Sequence, residues 1–232
     1  MQIDLEKDQI EKDQIEKARN VSRDLFDMSA MEGVVKRIFS ESIELKKKVM
    51  MEGHLSVLIQ MAASIVESLK NGGKLLLCGN GGSAADAQHL AAELLIRLRP
   101  NMNRQCLPAI ALAMDPSTLT ACGNDFGFDT LYERLVQGLG NFKDVLLGIT
   151  TSGRSPNVIR ALKMAQSLGM VTLGFLGNEG GEALNYCDLA FVVPGKEVGR
   201  IQELHITAGH AVMEMVEEMM LQQGEIKLLS EV

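Results

Sequence analysis

Residues 75–83 read LLLCGNGGS, an apolar run that leads directly into a glycine-rich loop. Four consecutive apolar residues, preceded by the turn residues Asn71-Gly72-Gly73, predict a short strand that is buried on both faces. The glycines allow the backbone to approach an anion closely, and the helical pattern that follows brings unpaired N–H groups to the loop. Ser83 is predicted to cap that helix. The stretch therefore predicts an α/β fold with an anion-binding loop at the end of a strand.

Four further apolar runs are short enough to be strands. They are residues 109–113, 144–149, 171–175 and 189–193. Helix-forming stretches, such as residues 158–167, separate most of them. Short apolar strands that alternate with helices are typical of a mainly parallel sheet covered on both faces. We therefore expect a five-stranded, flavodoxin-like three-layer sandwich.

Two helical patterns precede the first strand, between residues 30 and 70. The second has one apolar face that we expect to be buried. That face consists of Leu55, Leu58, Ile59, Ala62, Ile65, Val66 and Leu69. Before residue 30 the chain is densely charged and repeats EKDQI at residues 6–10 and 11–15, a period that matches neither a helix nor a heptad. We predict an accessory extension over residues 1–29 and a single domain over residues 30–232.

A long helix is predicted for residues 200–222. It contains four methionines, Met213, Met215, Met219 and Met220. Methionine fills irregular gaps in cores and interfaces, so packing within the domain or between subunits explains these residues better than a cofactor does.

The composition excludes several classes of protein. A chain of 232 residues with 46% hydrophobic and 23% charged residues suits one globular domain, and its net charge of -7 disfavours a nucleic-acid surface. The charged amino terminus differs from a secretory signal, and no apolar stretch is long enough to span a bilayer. The four cysteines have no metal-binding or disulfide spacing, so we expect reduced, mostly buried thiols. We predict a cytoplasmic protein without nucleic-acid or membrane partners.

A second loop resembles the first in its chemistry. The run Thr150-Thr151-Ser152-Gly153-Arg154-Ser155 follows a predicted strand and leads into a helix, so it gathers four hydroxyl groups beside a glycine. Hydroxyls and backbone amides at a helix start suit a terminal phosphate. One glycine-rich loop alone is compatible with a simple tight turn, whereas two such loops on one sheet favour a phosphorylated ligand. Both loops lie outside the carboxyl ends of strands, where open α/β sheets bind their ligands.

A dinucleotide site is an alternative for the first loop, because Gly79, Gly81 and Ala84 fit the pattern G-x-G-x-x-A. Such sites carry an acidic residue about 20 residues further on, which binds the ribose. Residues 98–100 are Leu-Arg-Pro instead, and the sequence contains no Gly-Lys-Ser or Gly-Lys-Thr of the ATPase type. The sequence therefore disfavours a nicotinamide-dependent dehydrogenase.

His89 and Glu93 lie four residues apart on the helix predicted after the first loop, so their side chains share one face. Such a pair is commonly a hydrogen-bonded or ionic pair without a metal. An imidazole and a carboxylate also suit zinc or a related divalent ion. The spacing alone leaves both interpretations open.

These motifs together resemble sugar-isomerase (SIS) domains and, among them, the phosphoheptose isomerases that act on sedoheptulose 7-phosphate. The resemblance covers about residues 44–219. It rests on Cys78-Gly79-Asn80-Gly81-Gly82-Ser83, on Gln88-His89 with Glu93, on Gly123-Asn124-Asp125-Phe126-Gly127-Phe128, on Thr151-Ser152-Gly153 with Ser155 and Asn157, and on Arg200-Ile201-Gln202-Glu203. It implies an aldose–ketose isomerase that forms D-glycero-D-manno-heptose 7-phosphate through an enediol, with one zinc ion per subunit, in a homotetramer.

The resemblance also implies roles for individual residues. Glu93 and His210 would be the catalytic acid/base pair. The zinc ligands would be His89, Glu93, Gln202 and His210. Substrate contacts would come from Asn80, Gly81, Gly82, Ser83, Glu93, Arg97, Asn124, Asp125, Thr150, Thr151, Ser152, Ser155 and Gln202. The chain departs from the family at Gly199, where related isomerases often have an acid, which puts one sugar contact in question.

The spacing of Gln202 and His210 is awkward for a single ion. Eight residues span about 12 Å along a straight helix. One ion could bind both side chains if they are fully extended, if the helix bends near Gly209, or if the two ligands come from different subunits. We expect the last arrangement, with the site at a subunit interface. From spacing alone, His205 is the better partner for Gln202, and only the resemblance selects His210.

Other proteins of this fold bind ligands without isomerising them. A non-catalytic SIS-domain protein, which binds a phosphosugar or the bacterial replication initiator, is therefore the alternative function. The presence of His89, Glu93 and His210 favours the enzyme.

Overall fold

The computed structural model describes residues 12–15, 27–112 and 115–229. Its sheet consists of β1 (Leu75–Gly79), β2 (Ala109–Ala111), β3 (Val145–Thr150), β4 (Val171–Leu176) and β5 (Leu189–Val192). The strands lie in the order β2-β1-β3-β4-β5, and neighbouring strands pair in parallel. The five predicted strands are confirmed, and their boundaries differ from the prediction by at most two residues.

α-Helices connect most of the strands as predicted, whereas two short 3-10 segments, Asn178–Gly180 and Glu182–Tyr186, connect β4 to β5. The α-helices are α1 (Met28–Met51), α2 (Ser56–Lys70), α3 (Gly82–Leu95), α4 (Pro116–Asp125), α5 (Leu131–Leu139), α6 (Pro156–Ser167) and α7 (Val198–Gln222). Asp115 caps α4 by accepting a hydrogen bond from the Thr118 amide.

The helices cover both faces of the sheet, which explains why the strands are apolar throughout. Successive side chains of a strand point to opposite faces. Leu75 and Leu77 of β1 belong to the core that includes α2, α3 and α7, whereas Leu76 and Cys78 belong to the core that includes α5 and α6. The three-layer sandwich is confirmed.

The methionines of α7 pack within the domain. Met213 and Met220 are buried, and Met215 and Met219 are partly buried against the same core. The packing interpretation of this methionine-rich helix is therefore confirmed.

The apolar face of α2 is less completely buried than predicted. Leu58, Ile65 and Leu69 are buried, but Leu55 is 41% exposed and Ile59 is 53% exposed. Leu55 precedes the first helical residue, and Ile59 lies at the edge of the apolar stripe, so neither faces the sheet. The prediction was wrong for these two residues.

The four cysteines are free, but they do not share one environment. Cys78 and Cys122 are buried, Cys187 is partly buried, and Cys106 is exposed in the loop before β2. The expectation of mostly buried thiols was wrong for Cys106, which lies outside the sheet and its covering helices.

The chain divides into two compact units, Met1–Glu44 and Leu45–Val232. The predicted boundary of the domain between residues 29 and 30 stays a prediction, and most of the EKDQI repeat lies outside the described residues. Within the described ranges, no single helix combines the length and apolar composition needed to cross a membrane. Only α1 and α2 taken together, a pair that is bent at the break between them, meet both criteria.

Candidate active site

The site begins where the strand order changes direction, between β1 and β3. These strands are neighbours in the sheet, with Gly79 paired to Ile149 at their carboxyl ends. The chain leaves β1 toward β2 on one side and, later, leaves β3 toward β4 on the other. Such a reversal opens a crevice in which open α/β sheets bind ligands. Both predicted loops follow these two strands.

The first loop turns into α3 immediately after β1. Gly81 precedes the first helical residue with a φ of 56°, a conformation that glycine adopts readily. Ser83 lies in the first turn and is buried, so it is not the helix cap that we predicted. The correction follows from the early start of the helix at Gly82. The hydroxyl of Tyr132 donates a hydrogen bond to the Gly79 carbonyl and fixes the base of the loop.

The second loop brings its hydroxyl groups together. Thr150 Oγ1 lies 3.0 Å from Ser155 Oγ and 3.3 Å from Ser152 Oγ. Ser155 precedes α6, and its side chain does not cap that helix. Hydroxyls clustered at the start of a helix form an anion-binding arrangement.

A cavity of about 570 Å³ opens beside the second loop. Ser152 lines it together with three cationic residues, Lys48, Arg154 and Lys196, and one carboxylate, Glu179. These positive charges favour the approach of a phosphate group.

Two asparagines join the loops. Asn80 Nδ2 donates to Asn157 Oδ1 at 2.8 Å, and Asn157 Nδ2 donates to Asn80 Oδ1 at 2.9 Å. Asn157 is buried. Asn157 belongs to one of the family motifs, but the sequence assigned it no function. Its contact joins residues 77 positions apart, and no local spacing reveals such a contact.

Three ionisable side chains meet between α3 and α7. His89 Nε2 lies 2.7 Å from His210 Nε2 and 3.3 Å from Glu93 Oε1. Among the described histidines, cysteines, aspartates and glutamates, these three residues form the group whose ligand atoms could hold one metal ion, all within 4.8 Å of one another. We refer to them as the histidine cluster.

Close packing of the two helices produces this meeting. A Cβ atom at Gly209 would lie 2.6 Å from Leu90 Cδ1, so only glycine lets Leu90 pack against the α7 backbone. Leu90 is adjacent to His89, and Gly209 is adjacent to His210. The small residue therefore brings the two imidazoles together.

The chemistry of the histidine cluster fits a divalent metal. Two imidazoles and a carboxylate are common zinc ligands. Glu93 Oε2 is buried without a hydrogen-bond partner in the described part of the chain, and an unpartnered buried oxygen is costly unless a ligand binds it. The residues present therefore fit a zinc ion or a substrate oxygen.

Asp86 is an additional acidic residue near the histidine cluster, and the sequence prediction missed it. It lies one turn before His89 on α3. Its Oδ2 is buried and lacks a partner among the described residues. Burial raises the pKa of Asp86, while the nearby His89 and His210 oppose that rise. Its spacing of three residues from His89 was the signal that could have identified it.

Gln202 lies at the other end of the α3–α7 contact. A Cβ atom at Gly82 would be 2.5 Å from Gln202 Nε2, so the amide rests on the first turn of α3. Helix α7 continues without interruption from Val198 to Gln222. Gln202 and His210 are therefore about 12 Å apart along the helix axis.

His205 is not a metal ligand in this arrangement. It is fully buried and stacks against Phe175, with ring centroids 5.9 Å apart. Burial lowers the pKa of His205 to about 4, although the Leu176 backbone opposes the shift. The choice that spacing favoured was wrong, because position 205 lies on the core-facing side of α7.

The remaining predicted substrate contacts lie at the surface. Asn124 and Asp125 are exposed at the end of α4, where Asn124 Nδ2 donates to Asp125 Oδ1 at 2.7 Å. Arg97 is exposed, and its guanidinium donates to the Pro100 carbonyl at 3.1 Å. The structure joins none of these three to the histidine cluster by a described hydrogen bond.

Comparisons with known proteins agree on one family. The SIS domain family matches residues 37–177. A phosphoheptose isomerase from Chlorobaculum parvum is 56% identical over 165 residues, which cover 71% of this chain and 79% of the relative. One from Aquifex aeolicus is 51% identical over 190 residues, covering 82% and 98% of the two chains. The structure of a phosphoheptose isomerase from Neisseria gonorrhoeae superposes with a TM-score of 0.75 at 40% identity, over 81% of this chain and 99% of the other.

Proposed function

We infer that this chain, which belongs to the SIS-domain family and, within it, to the phosphoheptose isomerases, interconverts D-sedoheptulose 7-phosphate and D-glycero-D-manno-heptose 7-phosphate. We propose that the histidine cluster performs the proton transfers. The observation that carries this proposal is the convergence of His89, Glu93 and His210 between α7 and α3, the helix that the first loop leads into. No nucleotide is needed for this chemistry.

The substrate is oriented by the loops. The phosphate binds the hydroxyls of Thr150, Ser152 and Ser155, with Thr151 and the first turn of α6 contributing polar groups. The sugar hydroxyls bind along the first loop. Its contacts are Asn80, Gly81, Gly82 and Ser83. This orientation directs the carbonyl end of the open-chain sugar toward α3 and α7.

The isomerisation moves a proton between two adjacent carbons through an enediol while a second proton moves between the two oxygens. Glu93 takes the carbon-bound proton and returns it to the neighbouring carbon. His210 transfers the proton between the oxygens. Groups positioned for such transfers typically accelerate a reaction by about 10²–10⁴-fold.

Zinc is the proposed cofactor, with one ion per subunit. His89, Glu93 and His210 would hold it, and Gln202 would be the fourth ligand. A bound zinc ion would polarise the carbonyl and stabilise negative charge on the adjacent oxygens. Glu93 has two oxygens for its two roles, because Oε1 faces His89 while Oε2 is unpartnered. Metal binding would lower the basicity of Glu93, so the two roles compete.

Gln202 also supports an active site at a subunit interface. Eight helical residues separate Gln202 from His210 by about 12 Å along α7, so ligands drawn from two subunits would reach one ion more easily. Apolar side chains are exposed at the α1–α2 junction. They include Met50, Met51, Leu55 and Ile59. Exposed apolar patches are typical of subunit contacts, and we propose a homotetramer in the cytoplasm.

The outer residues Arg97, Asn124, Asp125 and Gln202 are proposed to contact the substrate in that assembly. Arg97 would need to exchange its contact with Pro100 for one with the sugar phosphate.

The experiment that tests the function is direct. Purified protein is incubated with sedoheptulose 7-phosphate, with and without a chelator, and aldoheptose formation is followed. Turnover that the chelator abolishes and zinc restores is the expected result. Binding of the sugar phosphate without turnover would instead identify a non-catalytic SIS-domain protein.

A further inference from the structure

Arg104 is buried in the loop between α3 and β2, and its guanidinium contacts the end of α3. Nη2 donates to the Glu93 carbonyl at 2.9 Å, and Nη1 donates to the Leu94 carbonyl at 3.0 Å. Nε donates to Glu217 Oε1 at 2.7 Å. The side chain of Arg104 is 1% exposed and that of Glu217 is 0% exposed. The pair is therefore removed from water.

These contacts complete the carboxyl end of α3. The last four carbonyl groups of a helix have no partner within the helix. Arg104 binds two of them, and the Leu107 amide also donates to the Leu94 carbonyl. A positive charge at this end also complements the helix dipole. Arg104 thus holds the backbone of Glu93 itself, one turn after His89.

Glu217 provides the connection to α7. It lies seven residues after His210, about 10 Å further along the helix. Its second oxygen accepts a hydrogen bond from Arg99 Nε at 2.9 Å. The helices α3 and α7 are consequently connected at three levels. Gly82 contacts Gln202 at the start of α3, and His89 contacts His210 in its middle. Arg104 connects the last turn of α3 to Glu217.

We propose that Arg104 and Glu217 are positioning residues, which hold Glu93 and His89 of α3 in register with His210 of α7. The inference rests on the proposed function of the histidine cluster. Stability alone does not call for this pair, because well-packed apolar residues often replace a buried ion pair without loss of stability. Apolar residues cannot donate to the Glu93 and Leu94 carbonyls, so the guanidinium both completes the end of α3 and fixes the position of Glu93.

The test uses the double variant Arg104→Met/Glu217→Leu of the full chain, which removes both charges together. We expect kcat to fall about tenfold or more with KM changed less than about threefold, and the affinity for zinc alone to fall roughly 10- to 100-fold, as for other residues that orient metal ligands. We also expect amide hydrogen exchange to accelerate in residues 89–97. The falls in kcat and in zinc affinity should not follow from a lower melting temperature alone, and the faster exchange should be confined to residues 89–97, whereas global destabilisation would accelerate exchange throughout the domain.

Lys74→Met is the matched control. Lys74 forms an ion pair with the buried Asp144 at 2.6 Å, at the amino-terminal end of β1. Its loss should lower stability while kcat, zinc affinity and exchange in residues 89–97 stay unchanged. If the double variant behaves in the same way, the pair is only structural and the proposal is wrong.

Arg104→Lys covers the case in which the double variant does not fold. A lysine keeps the positive charge near Glu217. Its ammonium lacks the planar set of N–H groups with which a guanidinium donates to two carbonyls and a carboxylate at once. We expect a folded protein with the same loss of kcat and zinc affinity, and full activity in this variant would overturn the proposal. If the wild type binds no zinc, the proposed metal is wrong, while kcat and hydrogen exchange still decide the positioning role.

Discussion

The side-chain amides of Asn80 and Asn157 exchange two hydrogen bonds, at 2.8 and 2.9 Å, across the carboxyl ends of β1 and β3. The contact connects the loop that follows β1 with the start of α6, the helix that follows the loop after β3. Asn157 Oδ1 also accepts a hydrogen bond from the Val158 amide. The pair therefore fixes the distance between the two loops that are proposed to bind the substrate.

Asn157→Asp should weaken substrate binding more than it slows the reaction. An aspartate cannot donate to Asn80 Oδ1, and its charge repels the substrate phosphate. We expect KM to rise about tenfold, which corresponds to about 1.4 kcal/mol, with a smaller change in kcat. Steady-state kinetics measure both values. Asn71→Asp, at the end of α2, is the control and should leave KM unchanged.

Glu93→Gln should nearly abolish turnover while the sugar phosphate still binds. The amide keeps the size of the side chain but cannot accept the carbon-bound proton, so we expect kcat to fall about 10²–10⁴-fold. Calorimetric titration with sedoheptulose 7-phosphate measures the remaining binding. Glu182→Gln, an exposed glutamate, should retain wild-type rates. Wild-type turnover in Glu93→Gln would remove this residue from the mechanism.

His89→Ala should separate metal binding from proton transfer. Loss of one of three clustered ligands should weaken the affinity for zinc by about tenfold or more, so the variant should require added zinc for activity. Activity is measured after chelator treatment across a series of zinc concentrations. His54→Ala is the control, because His54 lies near Glu52 in the α1–α2 junction. Equal zinc dependence of both variants would contradict the assignment.

His205 should make the folded state sensitive to acid. Its pKa is about 4 in the folded protein and 6.5 ordinarily. A lowered pKa means that the neutral ring stabilises the fold above pH 6.5, and that this stability is lost as the pH falls toward 4. The loss amounts to up to about 3 kcal/mol. Urea unfolding of wild type and His205→Leu between pH 7 and pH 4 measures it.

The variant His205→Leu should show a flatter dependence of unfolding free energy on pH than the wild type. His54→Leu should keep the wild-type slope. Identical slopes for His205→Leu and wild type would mean that another group causes the acid sensitivity.

Gly82→Ala should displace Gln202 without unfolding the protein. The added Cβ atom would lie 2.5 Å from Gln202 Nε2, and the end of a flexible side chain can move away. We expect a melting temperature within about 2 °C of wild type, since most substitutions that avoid core strain change stability little, together with a fall in activity. Gly138→Ala in α5, where a Cβ atom meets nothing within 4 Å, should change neither property.

The strands of the sheet could be predicted well from the sequence, because each strand is indicated by residues that are adjacent in the chain. An apolar run such as residues 145–149 can form little other than a buried strand when glycines and helix-forming stretches surround it. The same locality allowed the two loops that follow β1 and β3 to be located from the sequence. Each loop depends on glycines or hydroxyls that are adjacent in the chain.

The contacts that build the active site were harder to predict because they join distant residues. His210 meets His89 across 121 positions, and spacing along α7 favoured His205 instead. Only the family resemblance selected His210. Arg104 and Glu217, 113 positions apart, have no local pattern at all. Burial of α2 was also overestimated, because helical periodicity indicates which face is apolar without saying where its edge lies.

Helix α3 separates the loop after β1 from His89 by a fixed number of residues. Its first turn belongs to the loop that follows β1, and its middle carries His89. Deleting one residue between them would rotate His89 by about 100° around the helix axis, and deleting a whole turn would shift it by about 5 Å. The five residues 84–88 therefore act as a spacer whose length cannot change without separating the loop proposed to bind the sugar from the histidine cluster, even where individual side chains tolerate replacement.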